Sequence, residues 1–405
     1  MEKTLVWMTH SFRLDSRLTS KLSGPCTFVY YSPYYFAGLR EKTLLNICSK
    51  ENLDAFYESL DTFDKQLKVN QNRLYVFKQS NVIEHINFLI KKYDFTKVVI
   101  DLPLFGLWQS IDPMEIDAPY ELVDSDLIDD ECFKMTAKSR WMTHVKKLNT
   151  EKLYWFNSKI TRFSIDEPTE SYPTYKANNL INGPNVLQRA LGIRKTYKET
   201  RDKHSGQTRL STSFQNGVLD PHNVFFQIAN EFKNEGADFT INDGPHASML
   251  RQFAFREMTI IQARRSGLTM ENSPEDWAKT FLTQASYDNL INKANSQSRL
   301  GFHHIQNAKT GDALIDKILK ESYKVGVMPN RARMFFAGWL FYNAPSGIDA
   351  LKWLMGTFDL FLLDGQCPTN YVQCCQAMNM QYGKVMLLNR NNVENLLQYE
   401  KEFKL

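Results

Sequence analysis

The sequence lacks the cysteine patterns that indicate a metal centre or a disulfide framework. Its six cysteines form no C-x-x-C pair, and no histidine lies at the spacing that a zinc site requires. They are therefore expected to be reduced, mostly buried thiols of an intracellular protein, located in the cytoplasm or nucleus and not secreted. We accordingly expect no bound metal.

Long apolar runs are also missing. No segment approaches the roughly 18 uninterrupted apolar residues that a membrane-spanning helix needs. The apolar run at residues 4–8 (TLVWM) is short and is followed by polar residues, which excludes a signal peptide. We therefore expect no membrane partner, and we expect a monomer.

Positive and negative side chains are nearly balanced in number. The chain has 49 lysines and arginines against 45 aspartates and glutamates, a formal net charge of +4. This balance permits a polyanionic partner without requiring one, so a local basic patch would matter more than the total. The length of 405 residues and the hydrophobic content of 43% predict two well-packed domains.

An α/β domain is predicted at residues 1–130. Short β-branched and aromatic runs alternate there with amphipathic helical stretches, a pattern typical of βαβ units around a parallel sheet. The phosphate-binding loops G-x-G-x-x-G and G-x-x-x-x-G-K do not occur, so a nucleotide is expected to bind elsewhere. The acidic run at 124–131 (DSDLIDDE) lacks the glycine of a calcium-binding loop and is interpreted as a solvated face or loop.

The rest of the chain is predicted to be an interdomain connection followed by an all-helical domain. The connection, residues 131–185, mixes prolines, asparagines and charges without a sustained period. From residue 186 to residue 405 strand signals vanish and helical periods take over. In the helical stretch at 244–267 the apolar stripe leaves out Gln252, Arg256 and Glu257.

Polar residues interrupt an apolar helical stretch between residues 326 and 376. Asn330, Arg333 and Met334 would share one face of a helix. An unpaired arginine is costly to bury, and Asp364 at the end of the run FDLFLLDG is a candidate counter-ion. These residues alone leave two interpretations open, a functional site or a structural ion pair between two core helices.

Four blocks of sequence share their order and spacing with one family. TLVWMTHSFRLDSRL at 4–18 is similar to an opening strand and an R-x-D-L-R-L turn, and LRQFAFREM at 250–258 to E-L-I-W-R-E-F. YKETRDKHSGQTRLSTSFQNGVLDP at 197–221 is similar to a tyrosine, an S-R-L-S cluster and a G-V-L-S-P turn. KTGDALIDKIL at 309–319, followed by MPNRARM and LLDGQCPTN, is similar to K-T-G-x-P-x-V-D, H-N-R-x-R-M and D-G-D-x-x-x-N. Together the blocks resemble the photolyase and cryptochrome family of flavoproteins.

The resemblance implies an antenna-type parallel-sheet domain followed by a helical domain that binds FAD. It assigns the flavin diphosphate to one group of residues, Tyr197, Thr208, Arg209, Leu210, Ser211 and Arg256. It assigns the flavin ring to a second group, Asn330, Arg333, Asp364, Gln366 and Asn370. The resemblance leaves undecided whether an antenna chromophore binds to the first domain.

The implied activity is that of a deoxyribodipyrimidine photolyase, which repairs cyclobutane pyrimidine dimers in DNA by light-driven electron transfer from reduced FAD. Asn330 and Met334 are similar to the residues of these enzymes, whereas enzymes for the (6-4) photoproduct have histidines there. Phe255 replaces a lesion-stacking tryptophan, Gln252 replaces a lesion-contacting glutamate, and Gln376 stands where a second tryptophan is expected. Because glutamine cannot act as a proton donor as a carboxylic acid can, a cryptochrome-like blue-light receptor or flavin-binding signalling module stays open as the alternative.

One substitution also affects the electron path that the resemblance implies. Cys374 stands in the usual three-tryptophan chain. Trp339 and Trp353 are candidates for another path, with Tyr371 or Tyr382 at its end. Packing of both tryptophans in the core is the alternative.

DNA binding would require a basic rim around the flavin cavity. Arg251 and Arg331 are the favoured phosphate contacts, and further candidates are Arg264, Arg265, Lys309 and Arg390. Solvated surface charge is the alternative for each of them. No long polar tail precedes Leu405, which favours the enzyme over signalling relatives that have one.

Overall fold

The structure is a computed structural model of the whole chain. The residues that it describes are 2–9, 11–31, 50–79, 81–102, 113–128, 135–150, 152–170, 183–201, 207–268, 272–325, 328, 330–357 and 373–375.

A six-stranded parallel sheet forms the centre of the N-terminal half. Its strand order is β3-β2-β1-β4-β5, and β6 pairs with the lower part of β2 through Gly24 and Ile160. The strands are β1 (Thr4–Met8), β2 (Gly24–Tyr31), β3 (Leu74–Phe77), β4 (Lys97–Asp101), β5 (Tyr120–Val123) and β6 (Ile160–Arg162). All five residues of β1 are buried, as expected for a central parallel strand that is covered on both faces.

Helices cover both faces of the sheet. They are α1 (Arg17–Lys21), α2 (Lys50–Val69) and α3 (Val82–Tyr93). Alternate residues of β1 enter different hydrophobic clusters: Trp7 lies in the cluster of Ile86 from α3, and Met8 in the cluster of Leu60 from α2. This alternation follows from the two-residue period of a strand.

The C-terminal half is helical, which confirms the prediction of an α/β half followed by an all-α half. Its helices in the described ranges are α5 (Gly183–Ile193), α6 (Tyr197–Thr200), α7 (Leu210–Gln215), α8 (Pro221–Asn234), α9 (Pro245–Arg265), α10 (Pro274–Phe281), α11 (Gln284–Ile291), α12 (Phe302–Gln306), α13 (Ala313–Val325), α14 (Asn330–Asn343) and α15 (Gly347–Thr357), and they follow α4 (Ala137–Lys146). None of the helices in these ranges is long and apolar enough to cross a membrane.

The described residues of the segment predicted as a connection, 131–185, include β6, α4 and the start of α5. The short strand β6 extends the sheet, while α4 packs against α9 of the helical half. Neither element shows a sustained period in the sequence, and both are held by partners that lie far away in the chain.

The expectation of a solvated acidic run at 124–131 is wrong for residues 125–128. Ser125, Asp126, Leu127 and Ile128 are all buried. Backbone carbonyl groups can be buried here because arginine side chains from both halves donate hydrogen bonds to them. Residues 129–131 lie outside the described residues.

A buried charge cluster joins α4 to α9. The Oε2 atom of Glu257 lies 2.8 Å from Nε2 of His144 and 3.2 Å from Nε of Arg140. Burial acts to raise the pKa of the Glu257 carboxyl, but His144 and Arg140 outweigh it and hold this pKa below its ordinary value. The carboxylate is therefore charged at neutral pH and counters the buried guanidinium.

Glu257→Gln should lower the free energy of unfolding at pH 7 by about 3 kcal/mol, because it leaves the buried guanidinium of Arg140 facing a neutral amide. The folded-state pKa of Glu257 lies below the unfolded-state value, so this stabilisation is complete above about pH 4.3 and is lost as the pH falls through the folded-state pKa. Urea denaturation at several pH values measures both effects. Exposed Glu199 provides the control Glu199→Gln, and equal stability of the two variants would contradict the assignment.

Candidate functional site

The predicted site residues that the structure describes lie on three segments of the helical half. Thr208 and Arg209 precede α7, while Leu210 and Ser211 are its first two residues. The others lie at the start of α6 (Tyr197), on α9 (Arg251, Gln252, Phe255 and Arg256) and on α14 (Asn330, Arg331, Arg333 and Met334).

The turn before α7 has a strained backbone beside two positive charges. Arg209 has a φ of +59°, in the left-handed region that non-glycine residues rarely adopt. The amide of Leu210 lies 3.4 Å from Oγ1 of Thr208, and Nε of Arg189 donates a hydrogen bond to the carbonyl of Gln207 at 2.9 Å. Strain of this kind is common at ligand clamps.

Arg189 and Arg209 place two positive charges near each other. Burial, and then the charge of Arg189, lower the pKa of the Arg209 guanidinium. No carboxylate contributes to this shift among the described residues. An anion at this turn would relieve the repulsion, and a diphosphate has the charge to do so.

Arg256 on α9 is only 3% exposed. Its Nη1 donates a hydrogen bond to the carbonyl of Asp126 at 2.7 Å, and its guanidinium lies 5.3 Å from the ring centroid of Phe214 on α7. Nε and Nη2 are buried without a hydrogen-bond partner in the described part of the chain. Buried N–H groups normally have a hydrogen-bond acceptor. The Nε and Nη2 groups of Arg256 are therefore suited to donate hydrogen bonds to a ligand.

Gln252 and Phe255 are half-buried and lie three positions apart on α9. Residues at this spacing are neighbours on one helix face. Arg251, one position earlier, donates from Nη2 to the carbonyl of Asn242 at 3.1 Å. A polar amide and an aromatic ring are thus adjacent and partly accessible on this helix.

Helix α14 begins at Asn330, which is exposed, and then becomes buried on all sides from Ala332 to Phe341. Arg333 and Met334 are both buried, and Nη2 of Arg333 donates to the carbonyl of Met328 at 3.2 Å. The side chain of Arg331 lies outside the described part of the chain.

Part of the predicted site lies outside the described residues. This part comprises Asp364, Gln366, Asn370, Tyr371 and Gln376. The ion pair expected between Arg333 and Asp364 therefore stays a prediction.

The two tryptophans of the expected electron path lie in one hydrophobic cluster with Cys374. Trp339 stacks on Phe336 with ring centroids 6.3 Å apart, and Trp353 stacks on Phe302 at the same separation. The ring of Trp339 is buried in the core, and that of Trp353 is partly buried against it. Stacked aromatic rings also provide the close contacts that an electron path needs, so packing and a path are compatible.

Two other polar side chains have local partners. Nδ1 of His304 accepts a hydrogen bond from the amide of Gly301 at 2.9 Å and so caps the start of α12. Arg264, a candidate for the DNA rim, forms an ion pair with Asp124. Sequence reasoning missed Arg189, because nothing in its helical pattern indicates that it lies beside a turn 20 positions later.

Comparison with known proteins identifies the fold of the chain. No family model matches the sequence, and no curated protein is significantly similar to it. A solved structure does match: the crystal structure of a bacterial class III photolyase from Agrobacterium tumefaciens superposes with a TM-score of 0.64 over 98% of this chain and 86% of that chain, at 15% sequence identity. The chain therefore has the photolyase fold, a parallel-sheet half followed by a helical half.

Proposed function

We propose that this protein belongs to the photolyase and cryptochrome family and repairs cyclobutane pyrimidine dimers in DNA by light-driven electron transfer from reduced FAD. The observation that carries the proposal is the pair of arginines in the helical half, Arg209 and Arg256, which have no carboxylate partner among the described residues. A fold shared with a photolyase over 98% of the chain supports it. We further expect a monomer in the cytoplasm or nucleus.

The residues present fit the diphosphate of FAD. Arg209 would neutralise one phosphate, and the unpartnered Nε and Nη2 of Arg256 are suited to the other. The hydroxyl groups of Tyr197, Thr208 and Ser211 would supply neutral hydrogen bonds, with Leu210 contributing its backbone amide. At the ring end we assign Asn330, Arg333, Asp364, Gln366 and Asn370.

The cofactor and the protein have separate roles in the proposed reaction. Reduced FAD, when bound, supplies the electron that splits the dimer. The half-buried ring of Phe255 would stack on the flipped-out dimer, and the neighbouring amide of Gln252 would donate a hydrogen bond to it. Because an amide is not a proton donor of useful acidity, Gln252 positions the lesion and transfers no proton.

Asn330 and Met334 favour the cyclobutane dimer as the substrate. Proton transfer to a (6-4) photoproduct needs a titratable group at these positions, and neither side chain titrates. Arg251 and Arg331 would contact the DNA phosphates. Such contacts set the position of the duplex and make binding weaker at higher salt concentration.

A cryptochrome-like light receptor is the second candidate. Gln252 in place of a carboxylic acid and Gln376 in place of a tryptophan favour it. Both substitutions would reduce repair more than they would reduce flavin binding. The two candidates thus separate in a repair assay.

The test is repair of an oligonucleotide with one thymine cyclobutane dimer. The protein is loaded with FAD, reduced chemically and illuminated with blue or near-ultraviolet light, and recovered thymine is measured by chromatography. We expect recovery in the light, none in the dark, and none from an oligonucleotide with a (6-4) photoproduct. Bound flavin without thymine recovery would overturn the repair activity and favour the receptor.

We assign the photoreduction path to Trp339 and Trp353, with Tyr371 at its end. Trp339→Phe and Trp353→Phe should each slow photoreduction of the bound flavin, because phenylalanine is much harder to oxidise than tryptophan. Rates are followed by the loss of flavin absorbance during illumination. Trp7→Phe, in the sheet, is the matched control, and unchanged rates in both test variants would leave these tryptophans with a packing role alone.

A further inference from the structure

Every backbone carbonyl of residues 124–128 accepts a hydrogen bond from a side chain of another part of the chain. Arg17 donates to Asp124 at 3.0 Å, to Leu127 at 3.0 Å and to Ile128 at 2.9 Å. Arg13 donates to the carbonyl of Ser125 at 2.6 Å, and Arg256 donates to that of Asp126 at 2.7 Å. We call residues 124–128 the clamped segment.

Arg13 connects the clamped segment to the turn after α7. Its Nη1 donates to the carbonyl of Gly217 at 3.0 Å, while its Nη2 donates to Ser125 and lies 3.5 Å from Oδ2 of Asp220. Asp220 in turn caps α8 by accepting hydrogen bonds from the amides of His222 and Asn223. The guanidinium of Arg13 is only 4% exposed, so water does not replace these contacts.

Arg256 closes a ring of contacts with Arg13. It binds the clamped segment through the carbonyl of Asp126 and packs over the ring of Phe214 on α7. The ring of contacts therefore starts at α7 and the following residue Gly217 and continues through Arg13 to the clamped segment. It returns from the clamped segment to α7 through Arg256. Two guanidinium groups, one from each half of the chain, fix α7 relative to α9.

We propose that Arg13 is a positioning residue for the anion-binding turn before α7, although it belongs to the α/β half. Arg209 lies on this turn and Arg256 lies on α9, so their separation depends on the ring that Arg13 completes. The assignment of the ligand as the FAD diphosphate rests on the proposed function. The ring of contacts does not rest on it.

The chemistry requires a guanidinium and not merely a positive charge. Its planar fork directs two N–H groups at carbonyl oxygens of two separate segments, Gly217 and Ser125. An ammonium group has the same charge but a shorter reach and no fork. If Arg13 acted only by charge on Asp220, an ammonium would serve equally well.

The test is chemical rescue of Arg13→Gly. FAD affinity is measured by quenching of flavin fluorescence with the full-length protein. We expect the dissociation constant to rise about tenfold in the variant, the loss typical for removing hydrogen bonds to a charged group, and to recover when millimolar ethylguanidinium is added. Ethylammonium should not restore it, and Arg13→Lys should behave like the unrescued variant.

Arg73→Gly is the matched control. Arg73 is also in the α/β half and lies over the ring of Tyr75, away from the clamped segment. The substitution Arg73→Gly should leave the affinity for FAD unchanged. Wild-type affinity in Arg13→Gly, or equal rescue by ethylammonium, would overturn the proposal, and Arg13→Gln provides the same comparison if the glycine variant does not fold.

Hydrogen exchange of the protein without flavin separates this proposal from the proposed function. Arg13→Gly should speed amide exchange in peptides spanning 210–220 and 245–265 and leave peptides of β1 and β4 unchanged. Faster exchange confined to these peptides, in a protein that takes up no FAD, would overturn the flavin assignment and support the positioning role. Unchanged exchange in them, or equal acceleration throughout, would overturn the positioning role.

Discussion

An arginine removed from water must find acceptors for five N–H groups, and this requirement organises the contact between the two halves of the protein. Arg13 and Arg256 are both buried and both donate to carbonyl groups of residues 124–128. Adjacent residues of this segment, Leu127 and Ile128, enter two different hydrophobic clusters of the helical half. The segment therefore ties the sheet to both helical cores, and the arginines make its burial possible.

The same requirement distinguishes a structural arginine from one that is suited to a ligand. Arg140 faces the carboxylate of Glu257, so its charge is balanced within the protein. Arg256 has a carbonyl partner for one nitrogen and none for two others in the described part of the chain. Arg209 lies beside another arginine. The two helices pack through Phe214 and Phe253. A diphosphate would balance the positive charge that lies just before α7 and on α9 without a carboxylate.

Local periodicity predicted the fold well, because strand and helix patterns are properties of neighbouring residues. It failed for residues 125–128, because the acidic composition of the run indicates solvent exposure until the arginines at positions 13, 17 and 256 are known to reach them. The burial of Glu257 was missed for the same reason, since its partners are on α4. Motif resemblance selected residues on α7, α9 and α14, but it could not indicate that Arg256 also contacts the α/β half, or that Arg189 lies beside Arg209.

The central claim is that the arginines at α7 and α9 hold the diphosphate of FAD. It is tested most directly by equilibrium titration of the wild-type protein and Arg209→Gln with FAD and with riboflavin, which has the same ring but no diphosphate. We predict one FAD site per chain. Arg209→Gln should weaken FAD binding about tenfold or more, because a charge-assisted contact is lost. Riboflavin should bind equally well to both proteins. Equal affinity of the two proteins for FAD, or an equal loss for both ligands, would contradict the account.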